Sequence, residues 1–107
     1  MNCKEAVLLR IFFGEDDKYE GKHLYKYIVE LCRKKGIAGV TVFRGVLGYG
    51  KSSLLHEAKP FKISSDLPIV VEIVDCEERI MEILPEIKRV LNSGLITIQR
   101  VMVLQYN

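Results

Sequence analysis

Two segments with the apolar spacing of a helix, each standing between segments with the apolar spacing of a strand, restrict this chain to very few folds. KHLYKYIVELCRKKG puts Leu24, Tyr27, Ile28, Leu31 and Cys32 on one stripe, with Arg33, Lys34 and Lys35 toward the negative end of the helix dipole and Gly36 as the stop. EERIMEILPEIKRVLNSG does the same with Ile80, Ile83, Leu84, Ile87 and Leu91, and Gly94 is read as its terminator. Asp75 and Glu78 have the spacing of a capping box, and Pro85 is expected to kink the helix. Ahead of the first helix, EAVLLRIFFGE alternates Val7, Leu9, Ile11 and Phe13 against Ala6, Leu8, Arg10 and Phe12. GVTVFRG and PIVVEIVD lie between the helices, and LITIQRVMVLQY closes the chain as a strand rich in β-branched residues.

The order is therefore β-α-β-β-α-β. It predicts an α+β, ferredoxin-like domain over residues 1–107, a four-stranded antiparallel sheet with two helices on one face. A chain of 107 residues is one domain's worth and buries enough apolar surface to fold without staples. Helices on one face leave the other bare. Because the strands are apolar on both sides, with Arg10 and Glu72 interspersed, a lone copy exposes a large apolar patch and self-association is expected.

Sixteen Lys and Arg against fourteen Asp and Glu leave a net charge of +2, short of the concentrated basic face that nucleic acid demands, so no nucleic-acid partner is expected. The apolar run AVLLRIFF is broken by Arg10 and followed by GEDD, which suits neither a signal peptide nor a membrane span. The expectation is a soluble, cytoplasmic protein without membrane insertion. Cys3, Cys32 and Cys76 lie far apart without C-x-x-C pairing, and His23 and His56 complete no metal set, so reduced thiols and no bound metal are expected.

From Val46 to Leu67 the chain has no clear helical period, and this long segment, about residues 45–67, reads as an exposed loop. At its start, GVLGYGKS from Gly45 to Ser52 satisfies G-x-x-x-x-G-K-[ST], the pattern of a phosphate-cradling loop. Such a loop must follow a strand and open a helix, because loop amides and helix N-terminus hold the phosphates together. Here a strand precedes it, but SLLHEAKPFK reaches Pro60 with no sustained apolar stripe. The match is read as accidental, with Gly45, Gly48 and Gly50 explained by positive φ angles where the strand leaves the sheet. Asp75, which a nucleotide hydrolase would use to hold magnesium, is better explained as a helix cap. Tyr49, Lys51, His56 and Lys59 nonetheless stand where a loop meets a ligand or partner.

Glu15, Asp16 and Asp17 precede a helix and read as caps favouring its dipole rather than as a cation site. His56 has no Ser, Cys or Asp fixed near it and reads as a solvated loop histidine; Cys76 near a helix start is weak evidence for catalysis. No catalytic constellation emerges, and a non-enzyme is expected.

GEDDKYEGKHLY, GIAGVTVFRGVLGYGKSS, SSDLPIVVEIVD and GLITIQRVMVL, in that order, resemble the small bacterial and archaeal family known as domain of unknown function one-ninety. The resemblance covers nearly the whole chain. That family is similar in fold to the nitrogen-regulatory P-II signalling proteins, ferredoxin-like homotrimers with nucleotide sites in the clefts between subunits. The resemblance implies a homotrimeric regulator that needs no cofactor but takes an adenine nucleotide (AMP, ADP or ATP) as effector and acts on a protein partner such as a membrane transporter or an enzyme. It makes Arg44, Gly45, Gly48, Gly50, Lys51 and Ser52 the ligand-binding base of the long loop, and Tyr49, His56 and Lys59 its partner contacts. Two positions differ from the pattern: NSGLITIQ has one glycine and no lysine where P-II proteins carry a glycine- and lysine-rich segment, and His23 stands where GKPLY has proline. The rival readings are a structural or adaptor trimer without an effector and a nucleotide hydrolase using Gly45 to Ser52.

Overall fold

A computed structural model of the chain describes residues 1–52, 54–58 and 66–107. Its main elements are β1 (Glu5–Gly14), α1 (Leu24–Lys34), β2 (Gly39–Arg44), β3 (Pro68–Asp75), α2 (Glu77–Val90) and β4 (Leu95–Met102). The strands form one antiparallel sheet in the order β2-β3-β1-β4. Each helix therefore connects two parallel strands with a third, antiparallel strand between them, the split β-α-β arrangement read from the sequence. Two small ladders decorate it, Lys18–Tyr19 with Lys22–His23 and Leu47–Gly48 with His56–Glu57.

The alternation in β1 is realised as expected. Val7, Leu9, Ile11 and Phe13 are buried on the helix side together with Ile69, Val71 and Ile73 of β3. Leu24, Ile28 and Cys32 of α1 and Ile80, Ile83, Ile87 and Val90 of α2 complete this core. Burying a Leu, Ile or Val side chain stabilises by about 1.5–3 kcal/mol, so the layer of helices on the sheet is the main favourable contribution.

On the other face, Phe43, Val70, Phe12 and Leu95 form one row across the four strands, and Thr41, Glu72, Arg10 and Thr97 form the next. Phe43 is 50% and Leu95 55% exposed. Arg10 donates from Nε to Glu72 at 2.8 Å and from Nη1 to Gln99 at 3.1 Å, a polar strip within an apolar face. The bare face inferred from the sequence is thus present.

The helix ends depart from expectation in instructive ways. Gly36 does stop α1: at φ 71° its N–H donates to Arg33 and that of Ile37 to Cys32, closing the helix with a left-handed residue. Gly94, by contrast, is not the terminator of α2, which ends at Val90; it opens β4, where a side chain would collide with the carbonyl oxygen of Phe12. Pro85 lies on the exposed side of α2, and the helix runs on through it.

Asp75 is not the cap of α2 either. Cys76 holds that position, with no side-chain cap bond. Asp75 is instead the last residue of β3, 4% exposed, its Oδ1 accepting from the Cys76 N–H at 2.6 Å and its Oδ2 from the Ala38 N–H at 2.9 Å. The carboxylate thus ties β3 to the turn that enters β2. The thiol expectation also fails: Cys3 and Cys76 form a disulfide across a separation of 73 residues, and Cys32 alone stays free, buried under α1. The antiparallel β1–β3 register delivers Asp75 beside Val7, which brings the two distant cysteines within bonding range.

A polar cluster links α2 to the loop before α1. Tyr27 donates to Glu86 at 2.9 Å, and Arg89 donates to Tyr19 at 2.9 Å while lying over its ring. The Arg89 guanidinium, and next the Tyr27 hydroxyl, hold the Glu86 carboxyl at about 2, below its ordinary 4.5.

Two outcomes are expected. Asp75→Ala leaves two backbone N–H groups without their acceptor and should lower unfolding stability by about 2 kcal/mol, read from urea denaturation; a loss within about 0.5 kcal/mol means that water replaces the carboxylate. A carboxyl whose pKa is lowered on folding contributes stability that is complete above its unfolded value and lost as pH falls through the folded value. For Glu86 that window runs from 4.5 down to about 2. Glu86→Gln should therefore lose less of its urea midpoint than the wild type between about pH 6 and about pH 3, and an equal loss rules out Glu86 as an acid-sensitive contact.

Candidate functional site

The predicted ligand and partner residues fall where β2 leaves the sheet. Gly45, the residue after β2, still donates its N–H to the Pro68 carbonyl at 2.7 Å, so the chain turns away from β3 only after a last bond to it. A Cβ at Gly45 would lie 2.8 Å from Pro68 Cγ, and one at Gly48 3.3 Å from the same atom. These glycines therefore permit close packing on the proline ring. Neither they nor Gly50 has a positive φ, which corrects the reason first assigned to them. Leu47 and Gly48 then pair with Glu57 and His56, and the Ala58 N–H returns to the Val46 carbonyl at 2.9 Å.

The long segment thus leaves the sheet as a hairpin, and Leu54 to Ala58 come back as its second arm rather than as a helix. The phosphate-loop pattern lacks the supporting helix it needs. Lys51 and Ser52 sit in the turn, exposed, with Ser52 Oγ accepting from the Leu54 N–H at 3.4 Å. Tyr49 is 70% exposed beside them, and none of the described residues packs where a side chain at Gly50 would be. Lys59 lies outside the described residues.

The base of the hairpin is held by polar side chains. Arg44 Nη2 pairs with Glu15 at 2.6 Å, and His56 Nδ1 lies 3.9 Å from Asp66, whose other oxygen accepts from the Asp16 N–H at 2.9 Å. Asp17 accepts from the Gly14 N–H at 3.3 Å. Partial burial pushes the Asp17 carboxyl above its ordinary range; Asp66 and Asp16 add to this, while the Gly14 N–H and His56 oppose it. His23, not an acidic residue, caps α1; it makes no side-chain cap bond, and its ring Nδ1 meets the Glu15 carbonyl at 3.0 Å. Glu15, Asp16 and Asp17 are therefore not caps: Glu15 pairs with Arg44 at the start of the hairpin, the Asp16 N–H holds Asp66 near His56, and Asp17 closes the turn onto Gly14. Asp66 was not singled out from the sequence, because its partners Asp16 and His56 are distant in the chain.

The structure brings Arg44, Gly45, Gly48 and His56 together around Pro68 and the acidic turn, and leaves Tyr49, Gly50, Lys51 and Ser52 at the exposed tip. The tip carries apolar groups as well, with Val46, Leu47, Leu54 and Leu55 all more than half exposed. Among the described residues, no group of three or more His, Cys, Asp or Glu is placed to hold a metal ion, and no helix is long and apolar enough to cross a membrane. A cavity of about 540 Å³ lies at the other end of β2 and β3, lined by Ala38, Asp75, Arg79 and Tyr106 among others.

Comparison with known proteins follows the fold. The family profile DUF190, described as Uncharacterized ACR, matches residues 6–103. A UPF0166 protein of Aquifex aeolicus is 50% identical over 104 residues, 97% of this chain and 98% of that protein. Among solved structures, CPII of Thiomonas intermedia K12, a nitrogen regulatory PII-like protein bound to ADP, AMP and bicarbonate, superposes with a TM-score of 0.62 at 17% identity, covering 92% of this chain and 88% of that one. The GlnK–ATP complex of B. subtilis gives a TM-score of 0.53 at 15% identity over 92% of this chain and 83% of its own. The chain belongs to the DUF190 family and has the PII-like, ferredoxin-type fold.

Proposed function

We propose that this protein is a non-enzymatic regulator of P-II type: a homotrimer that takes an adenine nucleotide between subunits and engages a protein partner through the hairpin following β2. The observation that carries the reading is the shared fold, because the neighbours that have it over 92% of this chain are solved with ADP, AMP or ATP bound. Three features of the chain support it. The exposed sheet face of Phe43, Val70, Phe12 and Leu95 needs a cover, and other copies of the same chain supply one. Arg44 and Lys51 give the hairpin two cations near backbone that glycine leaves open, suited to a phosphate group. The exposed Tyr49 and Leu54 at its tip offer a partner rigid or apolar contact surface.

In this reading the nucleotide competes with Glu15 for Arg44, so binding loosens one anchor of the hairpin and moves its tip. The partner, on the same logic, is a membrane transporter or an enzyme whose surface accepts an extended loop. The effector-free adaptor is the second reading, and one observation favours it: Arg44 is already neutralised by Glu15, and Lys51 stands apart from it in the turn.

Light scattering behind a sizing column should return three times the mass of the 12.3 kDa chain. A stable monomer at micromolar concentration removes both the covered sheet face and the intersubunit site. Thermal melts with AMP, ADP, ATP and cyclic nucleotides separate regulator from adaptor, since a ligand bound only by the folded state adds about 2.7 kcal/mol at a hundred times its Kd. A raised Tm with at least one adenine nucleotide is expected, reduced in Arg44→Ala. A trimer whose melt no nucleotide moves is the adaptor.

A further inference from the structure

The chain ends of this protein are gathered at one place. β1 begins at Glu5 opposite Met102 of β4, and just beyond that pair the Val103 N–H donates to the Lys4 carbonyl at 2.8 Å. Farther along, the Tyr106 hydroxyl donates to the Ala38 carbonyl at 2.6 Å, while the Ala38 N–H is held by Asp75. Cys3 lies between these contacts and is bonded to Cys76 at the start of α2. The cavity of about 540 Å³ is walled on one side by the fixed residues Asp75 and Arg79 and on the other by the chain ends, Met1, Asn2 and Tyr106.

We propose that the Cys3–Cys76 disulfide is a reversible redox latch, opened by a dithiol reductant, which holds residues 1–4 and 103–106 near the start of α2, along one wall of the open cleft between them. The placement of the bond distinguishes a latch from a core staple. Neither cysteine belongs to the buried core cluster, and both are partly exposed, so a reductant can reach them. The sheet is held by its own ladders and by the helix layer, so losing the bond frees the ends without dissolving the centre.

The chemistry also has a direction. A thiolate of the dithiol attacks Cys3 Sγ, and the S–S electron pair departs onto Cys76 Sγ, at the positive end of a helix of 14 residues. Glu77 and Glu78 lie in that first turn, but Glu77 is paired with Arg100 at 2.9 Å. The Cys76 thiolate takes a proton, and the second thiol of the reductant attacks the mixed disulfide to release Cys3. In total the protein gains two electrons and two protons as two thiols, and the dithiol leaves as a cyclic disulfide. The free Cys32, 0% exposed, takes no part. The proposal stands whether or not the chain binds a nucleotide.

The test uses the full chain purified without reductant. Alkylation with iodoacetamide under native conditions, read by mass spectrometry, should leave all three cysteines unmodified before dithiothreitol and label Cys3 and Cys76 after it. Hydrogen exchange on reduction should speed by about tenfold or more at Val103, whose N–H donates to Lys4, with residues 7–13 and 69–75 unchanged. Reoxidation with diamide should restore the slow pattern, and Cys3→Ser should show the fast one without reductant. Should that variant fail to fold, the reduced wild type gives the same reading. The proposal is overturned if Cys3 and Cys76 label freely in the untreated protein and diamide does not close them. It is equally overturned if the bond resists dithiothreitol until the protein is denatured, or if exchange in β1 and β3 rises along with the ends.

Discussion

The antiparallel ladder between β1 and β3 is the constraint on which the rest of the molecule depends. It pairs eight residues of each strand, from Val7 with Asp75 to Gly14 with Pro68, and every other element is placed by it. Both strands bury alternate residues under the helices, so a slip of β3 by one position against β1 would turn Glu72 into the core and Ile73 out of it. That cost keeps the register. A register this firmly held makes the two ends of β3 reliable positions, and the hairpin and the disulfide are attached there.

At one end stands Pro68. It donates nothing to a neighbour, yet its carbonyl accepts the Gly45 N–H and its ring packs where Gly45 and Gly48 have no side chains. The hairpin is therefore fixed at its base and free at its tip. At the other end stands Asp75, whose carboxylate holds the turn before β2 and whose neighbour Cys76 carries the disulfide. Exposed hairpin and latched chain ends are thus separated by the length of one strand, with the rigid centre between them.

Much of this was legible in the residue order, and what was not has a common cause. Period-two alternation in EAVLLRIFF and the 3.6-residue stripes of the helices depend on neighbours in sequence, so strands, helices and the bare sheet face could be read directly. Cys3 with Cys76, Arg44 with Glu15 and His56 with Asp66 depend on the register of strands distant in the chain, which local pattern does not carry. The errors at helix ends are subtler. Asp75 and Glu78 have capping-box spacing, but Asp75 ends a buried strand one residue before the cap, and its carboxylate is taken by the Cys76 N–H and by the Ala38 N–H of the turn before β2. The acidic run Glu15 to Asp17 was likewise assigned to the next helix, when Arg44 and the turn at Gly14 had the stronger claim.

The false phosphate-loop match comes from the same physics as the true motif. A phosphate loop needs glycine so that backbone can approach a ligand without a Cβ in the way, and here glycine lets backbone approach a proline ring. The pattern records the missing Cβ and is silent about what fills the space. What distinguishes the two cases is the next element: a helix N-terminus adds aligned N–H groups and a dipole, whereas the arm from Leu54 to Ala58 spends its N–H groups on the hairpin. On the proposed reading, a nucleotide at this hairpin would rely on side-chain cations and on a neighbouring copy rather than on a helix N-terminus. Among the described residues, the cations of the hairpin are Arg44, which is shared with Glu15, and Lys51 in the turn. In the proposed regulator, assembly would do more than cover the open sheet: a neighbouring copy would add groups around the phosphate to those that one chain offers.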